Sequence, residues 1–341
     1  MNKIGYNQRG LSLIEFMVAG AIGLILTLGL FQIFVSNQRA FTVTGASSYV
    51  QESGRMATEI LSKAIRNADY WGCVSRSSVF NNLNIDPTDD VLGFGQGVNG
   101  EDNNSDSSDA VINGTDVLTL RGARGSNGMQ TDSPMPNSSA VLDVKTSAGL
   151  EEGEVVVISN CRGADIFQIT SLPGSGDKIQ HNTGSSVSPG NGKNVSNCGS
   201  SNCLSQLYDK GSDILRPYSD TYYVGTGTSG QPALFLRSGL MKGSSIGSVQ
   251  AIELVEGVED MQVLYGEDTN GDGAVNRYVS AGSVTDMASV IALRISLLVR
   301  SAEDSVLDTS QNVTFDGVAV DGSDRRLRRV YSMTSTIRNR I

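Results

Sequence analysis

The sequence predicts an α+β protein in which a long N-terminal helix, transmembrane and then amphipathic, packs on an antiparallel β-rich globular domain. Three observations support this. An apolar run over residues 11–35 contains one charge, Glu15. No proline precedes Pro87, so nothing interrupts a helix from Leu11 to about Ala68. From Ser75 onward, segments rich in Val, Ile, Thr and Tyr alternate with stretches rich in Gly, Ser, Asn and Asp.

The length and the net charge of the chain limit the number of domains and the classes of binding partner that we expect. The 341 residues are 39% hydrophobic, enough for one large or two modest domains beyond a membrane segment. Against 26 basic residues stand 36 acidic ones, which gives a net charge of −10. We therefore expect no direct binding of nucleic acid.

The apolar run is long enough for a membrane helix. Residues 11–35 as a helix would measure about 37 Å, more than a hydrocarbon core of about 30 Å. Residues 1–10 form a polar leader with Lys3 and Arg9, and the next positive charge is Arg39. This asymmetry predicts a cytoplasmic N-terminus and an exported remainder. A secretory signal would carry its small-residue cleavage site after the apolar run, whereas Gly10 precedes it.

Glu15 is costly in this position. A carboxylate within an apolar span costs about 2.5–3.5 kcal/mol on insertion scales, so such a residue usually has a partner. The nearest candidate is a free α-amino group at Leu11, created by cleavage after Gly10, in this chain or a neighbour. The alternative is that Glu15 lies at the membrane interface and extends its carboxylate to water.

The segment Arg9-Gly10-Leu11-Ser12-Leu13-Ile14-Glu15 resembles the class III leader of type IV prepilins. In that family a prepilin peptidase cuts after the glycine and N-methylates the new first residue. The resemblance implies processing at Gly10 and Leu11, and a role for Glu15 in aligning subunits during assembly. Leu11 and Phe16 differ from the commoner phenylalanine and leucine.

Residues 36–68 are predicted to be the amphipathic half of the helix, lying on a β-rich periplasmic or extracellular domain of residues 69–341. Apolar residues recur there at helical spacing. They are Tyr49, Val50, Met56, Ala57, Ile60, Leu61, Ala64 and Ala68.

Four further segments are similar to the PilW group of minor pilins. They are Gln51-Glu52-Ser53-Gly54-Arg55, Tyr70-Trp71-Gly72-Cys73, Arg329-Val330-Tyr331 and Ile337-Arg338-Asn339-Arg340. The resemblance implies a type IV pilin-like fold and a non-enzymatic subunit that primes pilus assembly and enters the fibre near its tip. Motility, adhesion or DNA uptake would depend on it.

The same resemblance implies partners and location. The partners would be other minor pilins, the major pilin, the prepilin peptidase, the inner-membrane assembly platform and a tip adhesin of the PilY kind. The chain would cross the inner membrane once, with its C-terminal domain in the periplasm, and then move to the extracellular pilus.

Two other functions remain open. A J-type pseudopilin of type II secretion would have the same leader and a similar build. A membrane-anchored periplasmic binding or hydrolytic domain would be favoured if the leader were not cut at Gly10. The one histidine, His181, lies in a Gly/Ser/Asn-rich loop without a supporting motif, so we expect no catalytic device.

The four cysteines predict disulfides. Cys73, Cys161, Cys198 and Cys203 form an even set in an exported chain and allow three pairings. A four-cysteine zinc site normally needs two close pairs, and only Cys198 and Cys203 are close. We favour Cys198–Cys203 closing a short loop and Cys73–Cys161 tying the end of the helix to the sheet.

Ten strands are predicted from composition and alternation. They are Asp116–Arg121, Ala140–Val144, Glu154–Asn160, Asp165–Thr170, Thr221–Thr226, Ala233–Arg237, Ile252–Val255, Met261–Tyr265, Val290–Ser301 and Arg329–Ile337. The glycine-rich stretches 95–109, 122–139 and 173–202 are predicted to be loops. Pro217 is predicted to mark a seam between two β subregions, without being a firm domain boundary.

One loop matches the first part of a calcium-binding loop. Oxygen-bearing side chains stand at relative positions 1, 3, 5 and 9, with Gly273 at position 6, and Ala274 could add its carbonyl oxygen. The candidate ligands are Asp268, Asn270, Asp272, Ala274 and Asn276. The closing glutamate is replaced by Val279, so the alternative is a tight turn between strands.

The C-terminal segment is basic. It holds Arg325, Arg326, Arg328, Arg329, Arg338 and Arg340 and no acidic residue. This patch could contact DNA or an acidic partner, but Asp316, Asp321 and Asp324 precede it, so internal ion pairs are the favoured use.

Overall fold

The computed structural model describes residues 12–85, 92–94, 96–104, 111–147, 149–174, 177–183, 187–192, 203–240 and 250–340. In chain order the elements are α1 (Leu13–Asn67), β1 (Val79–Asn81), β2 (Val98–Glu101), β3 (Val117–Gln130), β4 (Leu142–Asp143), β5 (Val155–Asn160), β6 (Gly163–Gln168), β7 (Lys178–Ile179), β8 (Asp213–Thr226), β9 (Pro232–Leu240), β10 (Gln250–Glu256), β11 (Val258–Glu267), β12 (Arg277–Val279), β13 (Val290–Arg300), β14 (Val313–Phe315), β15 (Val318–Val320) and β16 (Arg328–Thr336). A 3-10 turn at Arg338–Arg340 follows β16.

The predicted helix is confirmed as α1, 55 residues long. Its buried residues are Val50, Ser53, Gly54, Ala57, Leu61 and Ile65, a stripe with the spacing of three and four residues that one helix face requires. Met56 was expected in this stripe. It is instead 49% exposed, because it lies beside the line that runs through Ala57 and Leu61.

Two sheets form the β domain. The first has the order β1-β6-β5-β8-β3-β2, with β9 beside β8 and β10 beside β9. The second has the order β12-β11-β13-β16 and is antiparallel throughout. In the described part of the chain, β1 with β6 is the one parallel pair of named strands. The α+β fold class is therefore confirmed.

The described part of the interior holds three large hydrophobic cores and a small fourth cluster of Val111, Val117 and Tyr223. The first core lies between the C-terminal half of α1, the second sheet and the β3, β8, β9 part of the first sheet. The second core includes Leu142, Phe167 and Tyr208 and is formed largely by residues 129–214. The third core surrounds Trp71 and Phe94, just after the helix. The helix is thus fixed to the domain by its C-terminal half alone.

All ten predicted strands are present, with shifted bounds. The prediction missed six short ones, β1, β2, β7, β12, β14 and β15, whose two to four residues are too few for a visible alternation. The predicted loop 122–139 is partly wrong, since β3 continues to Gln130. Pairing of this segment with β8 outweighs its glycine content.

Pro217 lies inside β8 and does not separate two units. There β8 changes its neighbour, because Leu215 pairs with β5 and Tyr218 pairs with β9. On the other side Pro217 faces Ala123, whose N–H donates to the Tyr70 carbonyl and not to β8. The missing N–H of Pro217 therefore falls in the gap between two partner strands, where it removes no ladder bond.

Candidate functional site

The N-terminal half of α1 is an uncovered apolar surface. Its residues from Leu13 to Phe34 are all exposed in the described part of the structure, with Leu13 at 80% and Phe31 at 66%. This segment qualifies as a membrane span by length and composition. Apolar surface of this extent is stable only against hydrocarbon or against other proteins.

Glu15 takes part in the N-terminal cap of the helix. Ser12 is the N-cap, and its Oγ accepts from the Glu15 N–H at 3.3 Å. In return Glu15 Oε2 accepts from Ser12 N at 3.0 Å and from Ser12 Oγ at 3.1 Å. This reciprocal pattern is a capping box. Gly10 and Leu11, the expected processing site, lie outside the described residues.

The segments that carried the sequence resemblance meet in space. Gly54 of α1 lies on Tyr331 of β16, and a Cβ at Gly54 would stand 2.3 Å from the tyrosine ring. Only glycine allows this close approach of helix to strand. The contact fixes the C-terminal half of the helix over the edge strand of the second sheet.

A second contact joins the end of the helix to the C-terminus. Asp69 is buried and accepts from Trp71 Nε1 at 2.7 Å and from Arg340 Nε at 2.6 Å. Asn339 Nδ2 donates to the Ala68 carbonyl at 2.8 Å. Both side chains of the Asp69–Arg340 ion pair are buried, and their hydrogen bonds fix the geometry of the pair. The pair therefore sets the orientation of the C-terminal segment relative to the end of the helix.

Cys73 and Cys161 are joined by a disulfide that closes a sequence separation of 88 residues. The bond links the segment after α1 to the β5–β6 turn. Of the other expected pair, Cys203 is disulfide-bonded, and Cys198 lies outside the described residues.

The C-terminal arginines divide into paired and unpaired groups. Arg328 bonds Glu259 and Asp324 at 2.6–2.7 Å, Arg326 lies 3.4 Å from Asp324, and Arg340 bonds Asp69. Arg329 reaches Ser47 Oγ at 3.4 Å, and within the described ranges no acidic partner contacts Arg329 or Arg338. Internal ion pairs thus account for half of the patch.

A cleft of about 570 Å³ lies where α1 ends. It is lined by Ala64, Arg66, Asn67, Tyr70, Leu120, Ala123, Arg124, Gly125, Tyr218, Asp220, Tyr222, Arg338 and Asn339. Arg124 pairs with Asp220 and lies over the ring of Tyr218. Burial raises the pKa of Tyr218, so its hydroxyl keeps its proton and donates to the Asn67 carbonyl at 3.0 Å.

His181 is placed in the second core, away from this cleft. Its Nε2 lies 2.9 Å from the Ala140 carbonyl and its ring meets Phe167 edge-on. Burial lowers the pKa of the imidazole. These contacts are those of a core histidine.

In the predicted calcium loop, aspartate side chains accept hydrogen bonds from main-chain N–H groups of the same loop. Asp268 Oδ1 accepts from Gly271 N at 2.7 Å and Oδ2 accepts from Gly273 N at 2.8 Å, and these bonds lower the pKa of Asp268. Asp272 Oδ1 accepts from Ala274 N at 2.9 Å. Among the described residues no group of three or more His, Cys, Asp and Glu side chains could hold a metal ion.

Comparison with known proteins gave one finding. Residues 221–339 match the family PilW, described as type IV pilus-assembly protein W. The matched segment contains the whole second sheet and the residues of β16 that contact α1. The match confirms the resemblance to the PilW group. No curated protein and no solved structure matches the chain.

Proposed function

We propose that this chain, a PilW-group type IV pilus protein by the match of residues 221–339, is a minor pilin. It is inserted in the inner membrane by α1, primes assembly of the fibre and is then incorporated near the tip. Its role is structural and not enzymatic.

The observation that supports this role is the division of α1 into two halves. One face of the C-terminal half is buried on the second sheet, while the N-terminal half from Leu13 to Phe34 is exposed along its whole described length. A rigid helix held at one end can leave the membrane and enter a bundle of like helices without refolding the domain. The hydrocarbon of the membrane and a bundle of like helices can each cover the same apolar surface of α1.

The proposal includes processing and partners. The prepilin peptidase cuts after Gly10 and methylates Leu11, and Glu15 then meets the new amino group of this chain or of a neighbour. Other minor pilins, the major pilin, the assembly platform and a PilY-type adhesin are the partners, and motility, adhesion or DNA uptake depends on the fibre.

Deletion of the gene with complementation tests this function. We expect the deletion strain to lose most surface fibres, counted by electron microscopy, and the full-length chain to restore them. Secretion by a type II system is measured in the same strains. Normal fibres with failed secretion would support a J-type pseudopilin, and normal fibres with normal secretion would support a membrane-anchored binding domain.

A further inference from the structure

The second sheet ends in an open edge at β16. In the order β12-β11-β13-β16, one side of β16 pairs with β13 from Arg328↔Arg300 to Thr336↔Ala292 without a register shift. No strand in the described part of the chain pairs with the other side. The edge is nine residues long and contains no proline, lysine or bulge, the features by which proteins usually block such edges.

The register fixes which main-chain groups face this opening. Arg300 N donates to the Gly257 carbonyl at 2.9 Å, on the side of β13 away from β16, so Arg300 and Arg328 form a non-hydrogen-bonded pair. At the other end Ile337 N donates to the Ile291 carbonyl at 2.9 Å. Antiparallel pairs alternate between bonded and non-bonded. The N–H and C=O groups of the even-numbered residues Val330, Ser332 and Thr334 therefore point outward.

One end of the edge already shows strand-like bonding. Arg328 N donates to Gln311 Oε1 at 2.9 Å, and Gln311 Nε2 donates to the Arg328 carbonyl at 3.0 Å. The side-chain amide thus makes both bonds that a residue of a neighbouring strand would make. Beyond it, the outward groups of Val330, Ser332 and Thr334 have no partner in the described ranges, and their side chains are exposed.

We propose that this edge accepts an extended segment of a partner protein, which adds a fifth strand beside β16. Main-chain bonds to Val330, Ser332 and Thr334 would supply the affinity. Exposed Arg329 and Arg338 stand near the two ends of the edge, and no acidic residue lies between Arg325 and Arg340. The fitting segment therefore has β-branched or hydroxyl residues in its centre and acidic residues at its ends.

A second copy of this chain is a poor occupant. Ser47 contacts Arg329 and Ser62 contacts Ser335, so β16 runs in the same direction as α1. Antiparallel pairing of two β16 edges would turn the two helices in opposite directions. Two helices of one membrane, inserted with the same orientation, do not allow this.

Hydrogen exchange of the full chain in detergent micelles tests the proposal. The probe is a capped synthetic peptide, EVTVTVE, and its control is the same peptide N-methylated at every residue, so that neither of its edges can donate to β16. We expect the unmethylated peptide to slow exchange at Ser332 and Thr334 about tenfold or more. Exchange at Tyr331 and Met333, whose N–H groups face β13, stays unchanged. No slowing, or equal slowing by both peptides, would overturn the proposal.

Matched variants localise the effect. Ser332→Pro removes an outward N–H and places a ring on the open side without breaking a bond to β13. Ser332→Ala keeps the main chain. Protection by the peptide should be lost in the proline variant and kept in the alanine variant. If the proline variant does not fold, the two peptides decide alone. Protection that appears without peptide, together with a doubled particle mass, would show self-pairing and overturn the assigned occupant.

Discussion

Glu15 combines two roles that substitution can separate. It is the acidic member of a capping box with Ser12, and it is the single charge of the apolar run. The cap requires an acceptor at the third helical position, which glutamine also supplies. The proposed assembly through the amino group of Leu11 would require the charge.

We therefore predict that Glu15→Gln and Glu15→Ala enter fibres poorly, while both still insert in the membrane because a costly charge is removed. Ser12→Ala keeps the charge and loses the cap at a cost of about 1 kcal/mol, and should enter fibres normally. Quantification of the subunit in sheared fibres and in membranes measures both steps. Normal incorporation of Glu15→Gln would show that the charge has no assembly role.

The loop from Asp268 to Asn276 stays a predicted calcium site. Without the closing glutamate, affinity should lie in the weak extracellular range, about 10⁻⁴–10⁻³ M. Asp272→Ala should lower the Tm in millimolar calcium and change it little in chelator. Asp304→Ala, which removes an exposed loop carboxylate elsewhere, is the control. Absence of a calcium-dependent Tm shift in the wild type would leave the loop as a turn.

The Ser12–Glu15 contact and the Gly54–Tyr331 contact differ in how far the sequence could predict them. Ser12 and Glu15 have the spacing of a capping box, so the sequence itself contains a signal for this contact. The contact of Gly54 with Tyr331 carries no local signal. Gly54 and Tyr331 are 277 positions apart, and only the folded sheet brings them together. Both residues nevertheless lie in segments that resemble the PilW group.

At the scale of elements, the Cys73–Cys161 disulfide fixes the end of α1 to β5 and β6. Closing 88 residues restricts the unfolded chain, and the entropy model gives roughly 4–5 kcal/mol of stabilisation. The expected Cys198–Cys203 bridge closes a much shorter loop and should contribute less.

We predict that Cys73→Ser with Cys161→Ser lowers the denaturant midpoint substantially, and that Cys198→Ser with Cys203→Ser lowers it less. Trp71, the one tryptophan, is buried two residues before Cys73, so its fluorescence reports this region directly. Equal midpoints for the first pair and the wild type would contradict a stabilising role for the long bridge.

In β11, burial raises the pKa of Asp260 to about 6, and the nearby carboxylates of Asp116 and Asp316 act in the same direction. The folded state therefore favours the protonated acid. Its stabilising contribution is complete below the unfolded value of 3.8 and is lost as the pH rises through about 6. Asp260 is partly exposed, so we expect an effect of about 1 kcal/mol.

Asp260→Asn keeps the acceptor for Gln262 and should raise the Tm at pH 7.5 by about 2–4 °C. At pH 4.5 the folded-state carboxyl is protonated, so the Tm difference should be smaller than at pH 7.5. The lowered pKa of buried His181 acts in the opposite sense, but it is common to both proteins and cancels in the difference. A Tm difference that does not change with pH would contradict the assignment.

The strands were predicted where β-branched and aromatic residues alternate, as in β13 and β16. The predicted strand boundaries were wrong where pairing with a neighbouring strand decides how far a strand extends. β8 passes through Pro217 because the missing N–H falls between two neighbours. No local pattern contains that information, since it depends on where β5 ends and β9 begins.

In the whole molecule, two contacts fix the direction in which α1 leaves the domain. Tyr331 packed against Gly54 holds the C-terminal half of the helix, and the ion pair of Arg340 with Asp69 holds the segment at its end. The uncovered half extends beyond them as a rigid apolar rod. This arrangement suits transfer from a membrane to a helical fibre core. Length and apolarity predicted the membrane-spanning half, whereas entry into a fibre is what the resemblance to type IV prepilins implies.

Mass spectrometry of sheared and purified fibres tests the proposed role most directly. The account predicts that this chain is present in the fibres and that its N-terminal peptide begins at Leu11 with a methylated amino group. Fibres that lack the chain, or that contain it with an intact Met1, would contradict its function as a processed minor pilin.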